Sequence, residues 1–250
     1  MNAKYVSMKS RRGFIRVAGT LGAAFALGGL PFTARVAIAA EPRMRIGVVG
    51  SGNIGGTLGE LWIKAGHEVM FSSLDLEADK KLAASLGPNA RAGTPREAAA
   101  FGDVVLISVP YAALPSVGRD LGDLIKGKIV IDTSNPIVAR DGDMAVAARE
   151  KGAGISSQEF LPGARIVRAF NAIGYARMGE ASKNPGKVGM PIAGDDPKAI
   201  EIASALIREI GYEPVMVGSL ATMGKYLIPG TPLGGEHTPA EIRQIATTLK

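Results

Sequence analysis

The sequence predicts an α/β chain built on a doubly wound, mostly parallel sheet with a small C-terminal extension. Three observations carry that prediction. From residue 44 onward, short apolar runs bounded by turn residues alternate with stretches of helical spacing. The second half returns to strand-like runs at 165–170, 188–193 and 213–217 instead of becoming mostly helical. The 250 residues are 46% hydrophobic and 21% charged, enough for a sizeable core and too apolar for a disordered chain.

Taken in order, residues 44–50 (MRIGVVG) read as a buried strand. Residues 54–66 follow as a helix with Ile54, Leu58, Leu61, Trp62 and Ala65 on one stripe, which makes Trp62 a core residue. Residues 68–73 are a second strand, and 77–86 a helix stopped by Gly87. Thr94-Pro95-Arg96-Glu97 is a capping box with proline at the first helical position. Residues 103–109 (DVVLISV) form a strong strand, 111–124 a helix and 128–133 (KIVIDT) another strand. A helix near 144–151 precedes the strand at 165–170 (RIVRAF). After the strand at 188–193, Asp196-Pro197 caps a helix over 198–210, so Asp195 and Asp196 read as helix-start residues and not as a metal pair. A short strand spans 213–217, residues 219–236 are rich in glycine and proline, and Thr238 with Glu241 opens a last capped helix. The organisation is a leader at 1–39, a dinucleotide-binding body at 40–218 and the extension at 219–250.

The leader accounts for the net charge of +6. Residues 1–39 hold Lys4, Lys9, Arg11, Arg12, Arg16 and Arg35 and no acid, which leaves 23 basic and 23 acidic residues in the rest. A neutral body lacks the electrostatic footprint of a nucleic-acid binder. Ser10-Arg11-Arg12-Gly13-Phe14-Ile15 is a twin-arginine motif, followed by a Gly/Ala-rich apolar stretch and the small-x-small site Ala37-Ile38-Ala39. That is the layout of a signal peptide for the twin-arginine export machinery, with a mature chain starting near Ala40, no membrane span in it and a periplasmic or otherwise exported location. The chain has no cysteine, which excludes a disulfide scaffold, a thiolate metal site and a cysteine nucleophile. Two histidines rule against a histidine-rich metal centre, and no metal is expected. His67, at a helix-to-strand turn away from the phosphate loop, reads as structural, and His237 as a surface or helix-cap neighbour.

Gly50-Ser51-Gly52-Asn53-Ile54-Gly55 is G-x-G-x-x-G placed directly after a buried strand and opening an amphipathic helix. In that context Gly50 permits a tight turn, Gly52 lets backbone approach a pyrophosphate and Gly55 lets helix and strand pack closely, as in Rossmann-type dinucleotide sites. The free N–H groups and dipole at the helix start stabilise the phosphate charge. At the end of the second strand, Ser72 and Ser73 are neutral hydroxyl donors compatible with a 2′-phosphate. Asp75 stands slightly late for a ribose, so the residues favour NADP modestly and leave NAD open.

The ordered set MRIGVVGSGNIGG (44–56), AGHEV (65–69), DVVLISVPY (103–111), DTSNP (132–136), LPGARIVRAFN (161–171), AGDD (193–196) and IGYEPVMVG (210–218) resembles the NADPH-dependent reductases of the coenzyme F-420, or deazaflavin, type. The resemblance spans about residues 44–230. It implies that the glycine turn and Ser73 contact NADP and that Val109 and Pro110 lie near the nicotinamide. It also implies that Tyr111, Asn135, Pro136, Asn171 and Ala172 border the pocket of a flavin-like second cofactor or other small acceptor. Leu74 departs from the arginine common after that serine, and export departs from the family's cytoplasmic setting. The resemblance leaves room for a homodimer. The implied activity is hydride transfer between NADP(H) and a flavin, deazaflavin or other small acceptor, chemistry that the cofactor carries. Two alternatives stay open: a dinucleotide-binding or sensing module without turnover, and a small-carbonyl or imine dehydrogenase with a proton donor near Tyr111, Asn135 or Asn171.

Overall fold

The computed structural model describes residues 43–249. The twin-arginine segment and its cleavage site lie outside the described residues. The first half is a regular alternation: β1 (Arg45–Val49), α1 (Asn53–Lys64), β2 (Glu68–Ser72), α2 (Leu76–Leu86), β3 (Ala90–Ala92), α3 (Pro95–Phe101), β4 (Val104–Ile107), α4 (Leu114–Ile125) and β5 (Ile129–Asp132). It continues through α5 (Val138–Lys151), α6 (Ala153–Phe160), β6 (Arg165–Arg168), α7 (Tyr175–Met178), β7 (Val188–Gly194), α8 (Pro197–Glu209), β8 (Tyr212–Gly218), α9 (Leu220–Met223) and α10 (Pro239–Thr248).

The strands form one sheet in the order β3-β2-β1-β4-β5-β6-β7-β8. All neighbours are parallel except β6 and β7, which pair antiparallel through Val167↔Gly194 and Arg168↔Ala193. Strand order reverses between β1 and β4, where the chain leaves the sheet once toward each edge. In open α/β sheets that reversal opens a crevice at the carboxyl ends of the strands.

Side-chain alternation explains the layers. Val104 and Leu106 of β4 join one apolar cluster with Leu58 and Trp62 of α1 and Leu206 and Ile207 of α8. Val105 and Ile107 join the other, with Leu121 and Ile125 of α4, Ala153 of α6 and Ile242 of α10. Because both faces are covered, β4 is apolar throughout and β5 is apolar up to its last residue, Asp132, as expected of a buried parallel sheet. Trp62 is fully buried, and its Nε1–H donates to the Leu206 carbonyl at 3.0 Å, which ties α1 to α8 beneath β1. His67 is 2% exposed: the Met44 N–H donates to its Nδ1, so Nε2 carries the proton and donates to Glu209 at 2.6 Å. It is a structural link between the start of β1 and the end of α8.

Both predicted capping boxes are present, at Thr94/Glu97 and Thr238/Glu241. Helix α10 packs on β7 and β8, and the Gly189 N–H of β7 donates to the His237 carbonyl at 2.8 Å. The extension is thereby fastened to the second half of the sheet. Asp196 caps α8 by accepting from the Ala199 N–H and is held by both Arg165 guanidinium arms at 2.6 and 2.8 Å. That guanidinium lowers the Asp196 carboxyl from 3.8 to about 2. A lowered carboxyl contributes stability that is complete above pH 3.8 and is lost as pH falls through about 2. Urea midpoints measured down the acid limb are expected to fall less steeply over that interval in Asp196→Asn than in the natural chain.

Candidate active site

The turn after β1 is clamped on its protein side and open on its outer side. The Gly50 and Ser51 N–H groups both donate to the Ser72 carbonyl, at 2.9 and 3.0 Å, so the first residues past β1 are stitched to the end of β2. Gly50 has φ +99°, and a Cβ there would stand 2.2 Å from the Ser108 carbonyl oxygen. A Cβ on Gly55 would stand 2.0 Å from the Gly50 carbonyl oxygen. Gly52 is the opposite case: a Cβ would meet nothing within 4 Å. Gly52 is also the N-cap of α1, with no side-chain cap, and the first turn holds no acidic residue. Helix N–H groups left without a side-chain partner, at a position where backbone lies bare, make a cradle for an anion. The diphosphate of a dinucleotide fits that cradle.

The strand ends beyond β1 continue the floor. The Ser108 N–H donates to the Val49 carbonyl and the Thr133 N–H to the Ile107 carbonyl, so β4 and β5 deliver Ser108 and Thr133 to the same rim. A hollow of about 570 Å³ lies on one side of the turn, lined by Gly50, Ser73, Leu74, Asp75, Val117 and Asp120 among others. A second of about 240 Å³ lies on the other side, lined by Asn53, Ile54, Thr133, Asn135, Ile137, Arg140 and Tyr175. The two share Gly52, Ser108, Val109 and Pro110, so they meet at the glycine turn and the end of β4. Each has a distinct charge. The larger is lined by two acids and no Lys or Arg, and the smaller by one cation, Arg140.

The structure sorts the residues singled out in the sequence into two groups. Gly50, Gly52, Asn53, Ile54, Ser73, Val109, Pro110 and Asn135 line the hollows. Ser51 and Gly55 support the turn from behind. Ser72 is fully buried, with its Oγ–H donated to the Val48 carbonyl at 2.7 Å, because the last residue of β2 turns its side chain under β1. Tyr111 lines neither hollow: it is fully buried, and its hydroxyl donates to the Ala153 carbonyl at 2.9 Å. Burial pushes its phenol pKa up, so the ring is a neutral core residue. Pro136, Asn171 and Ala172 are also buried and line neither hollow. Asn171 acts through its neighbours instead: its carbonyl accepts from Asn135 Nδ2 at 2.8 Å and its own Nδ2 donates to the Ser134 carbonyl.

Behind that wall lies a polar layer. Asp132 and Arg168 are register partners on β5 and β6, both fully buried, and form an ion pair. Ser157 of α6 donates to Asp132 Oδ2 at 2.7 Å, and Arg168 also donates to the carbonyls of Ser134 and Leu227. Removing one member of such a pair leaves an uncompensated buried charge, so the layer fixes the β5 loop in one position. Two steps along, Phe170 adopts φ +64° and packs edge-on against Trp62 and Tyr212. Sequence reasoning missed Arg140, Tyr175 and Ile137 at the smaller hollow. Their one visible signal was position, just past the ends of β5 and β6.

A model for the family described as "NADP oxidoreductase coenzyme F420-dependent" matches residues 45–136, from β1 to the loop after β5. The chain is 30% identical over 191 residues to the F420-dependent NADP reductase of Methanothermobacter thermautotrophicus, covering 71% of this chain and 82% of that relative. This chain belongs to the F420-dependent NADP reductase family. The family's members are NADP-dependent oxidoreductases. Among solved structures, the hypothetical protein SMa0349 of Sinorhizobium meliloti shares the reductase's fold with a TM-score of 0.65 and 26% identity, over 77% of this chain and 93% of that one. A chain from Arthrobacter sp. fb24 shares the fold with a TM-score of 0.63 at 21% identity, over 74% and 90%. Among the described residues of the reductase, no helix is long and apolar enough to cross a membrane, and no group of three His, Asp or Glu is placed to hold a metal.

The contrast between two glycines separates binding from folding in this reductase. Gly52→Ala adds a methyl group where nothing in the protein stands within 4 Å, so its melting temperature should match the natural chain while dinucleotide affinity falls by about tenfold or more. Gly55→Ala drives a methyl into the Gly50 carbonyl and should cost roughly 1–3 kcal/mol of stability, read from urea unfolding.

Proposed function

We propose that this reductase transfers a hydride between NADP(H), laid across the glycine turn, and a flavin- or deazaflavin-type ring seated in the smaller hollow. The observation that carries the reading is the junction of the two hollows at Gly52, Val109 and Pro110. A dinucleotide whose diphosphate rests on the open start of α1 has its adenosine on the side of Ser73 and its nicotinamide at that junction.

The residues present supply binding, orientation and exclusion of water. Gly52, Asn53 and Ile54 hold the diphosphate through backbone. Val109 and Pro110 offer an apolar shelf to a flat ring. Asn135, fixed by the Asn171 carbonyl, bounds the acceptor side. Ile137 and Tyr175, at 39% and 52% exposure, line the hollow as exposed large apolar side chains of the kind a planar ring covers. Arg140 stands on the same rim; its guanidinium is fixed by Asp141 and donates to the Asn135 carbonyl at 2.8 Å. When bound, NADPH supplies the reducing hydride. No protein nucleophile is needed, and the Tyr111 hydroxyl, spent on Ala153, is turned away from any proton-donor role in imine or carbonyl reduction.

Anaerobic stopped-flow mixing of the NADPH-loaded protein with flavin and deazaflavin acceptors tests this. Loss of the reduced-nicotinamide absorbance that depends on acceptor concentration is the expected result. Tight NADPH binding with no acceptor-dependent oxidation would instead make the chain a binding module.

We also propose that the protein works after export through the twin-arginine pathway, which carries folded chains. Free dinucleotide is scarce outside the cytoplasm, so the cofactor would travel in the site and leave slowly. Intact-mass measurement on the exported fraction is expected to find a chain starting near Ala40 together with a nucleotide released on denaturation. A chain starting at Met1, or an empty exported protein, would contradict it.

A further inference from the structure

The adenosine end of the cleft is organised around a buried acid. Asp79 lies in the first turns of α2 and is 1% exposed. Both of its carboxylate oxygens are engaged by hydroxyls from the cleft floor: Ser51 Oγ–H donates to Oδ1, and Ser73 Oγ–H donates to Oδ2 at 2.8 Å. One carboxylate therefore ties the glycine turn to the end of β2.

The consequence is chemical. A serine hydroxyl has one proton and two lone pairs. The Ser73 proton goes to the Asp79 carboxylate, since the competing Asp75 carbonyl is at 3.3 Å, and the Asp75 N–H takes one Ser73 lone pair at 3.1 Å. What Ser73 presents to the cleft is an acceptor. The Ser72 proton is spent on Val48. The two hydroxyls that the sequence offers as donors to a 2′-phosphate thus have no proton left for one. The other lining groups point the same way. Asp75 and Asp120 line this hollow and no Lys or Arg does; Arg96, which donates to the Asp120 carbonyl, is spent on the Asp123 carboxylate, and Leu74 next to Ser73 stands wholly exposed. Lys80, on the following helix, is paired with Glu77. A 2′-phosphate is a dianion that asks for an arginine or other donors, whereas a ribose 2′-hydroxyl asks for an acceptor.

We infer that the adenosine subsite of this reductase reads a free 2′-hydroxyl as readily as a 2′-phosphate, so that NADH binds with an affinity within about tenfold of NADPH. Asp79 is the positioning residue, and Ser73 the acceptor it prepares. The inference rests on the dinucleotide reading of the cleft, but its failure looks different.

Calorimetric titration of the purified protein with NADPH and with NADH decides it, on the natural chain, Leu74→Arg and Asp79→Asn. The natural chain should bind both within about tenfold, and Leu74→Arg, a change at an exposed position on the rim of this hollow, should tighten NADPH relative to NADH by about tenfold or more. Asp79→Asn removes a negative charge and one acceptor, which frees a serine proton, so it should raise the NADPH-to-NADH affinity ratio. An Asp79→Asn protein that weakens both ligands alike, with the ratio unmoved, overturns the positioning role of Asp79. A natural chain that prefers NADPH by more than about tenfold, or a Leu74→Arg protein with an unchanged ratio, overturns the inference and leaves the site reading intact. Absence of binding by either nucleotide overturns both.

Discussion

The start of α1 is the constraint on which the rest of the structure depends. A helix N-terminus leaves N–H groups without intrahelical partners. This one is given no capping side chain and no acid in its first turn. The surrounding structure holds the turn rigidly all the same, through two N–H groups on the Ser72 carbonyl, the close seat of Gly55 under Gly50, and the Ser51–Asp79 bond. Rigidity on the protein side and bareness on the outer side together make a site suited to an anion. Strand order places that site at the reversal between β1 and β4, with the ends of β2, β4 and β5 around it.

The cleft and the layer behind it divide the work. Apart from Asp75 and Asp120 on one side and Arg140 and Tyr175 on the other, groups lining the cleft are backbone, small side chains and apolar surface, which suits a reaction whose reducing power is brought by the cofactor. The polar residues that look chemically able, Asp132, Arg168, Ser157 and Tyr111, are sealed behind it and bonded to one another. Their effect is positional: they fix Ser134 and hence Asn135 at the edge of the smaller hollow. The two hollows differ in charge: two acids line one, and Arg140, held by Asp141, lines the other.

Much of this was legible in the chain. The glycine turn could be read because its spacing sat between an apolar run and an amphipathic helix, two independent signals that agreed. Both capping boxes and the Asp196 cap were legible because they are local. What stayed hidden depends on tertiary context. The three residues of β3 have no strand pattern of their own and exist by pairing with β2. Helix α6 buries only small residues, Ala153, Gly154, Ser156 and Ser157, and a Cβ on Gly154 would stand 2.4 Å from the Leu220 carbonyl oxygen, a closeness that leaves no apolar stripe. The reversed direction of β7 rests on two register pairs with β6. Tyr111 reads equally as core or as ligand contact until the position of Ala153 is known. Asp132 and Arg168 did leave a trace: each is a charge directly following the apolar pair or triplet at the middle of its strand, and such charges, once buried, ask for one another.

The central claim, that the bare start of α1 grips the diphosphate of the coenzyme, is open to one direct measurement. Backbone amide resonances of the ¹⁵N-labelled protein can be followed while NADPH is added. The account predicts that the largest changes fall on residues 51–55, with smaller ones at Ser73 and Val109. Changes centred elsewhere, with the amides of the turn unmoved at saturation, would contradict it.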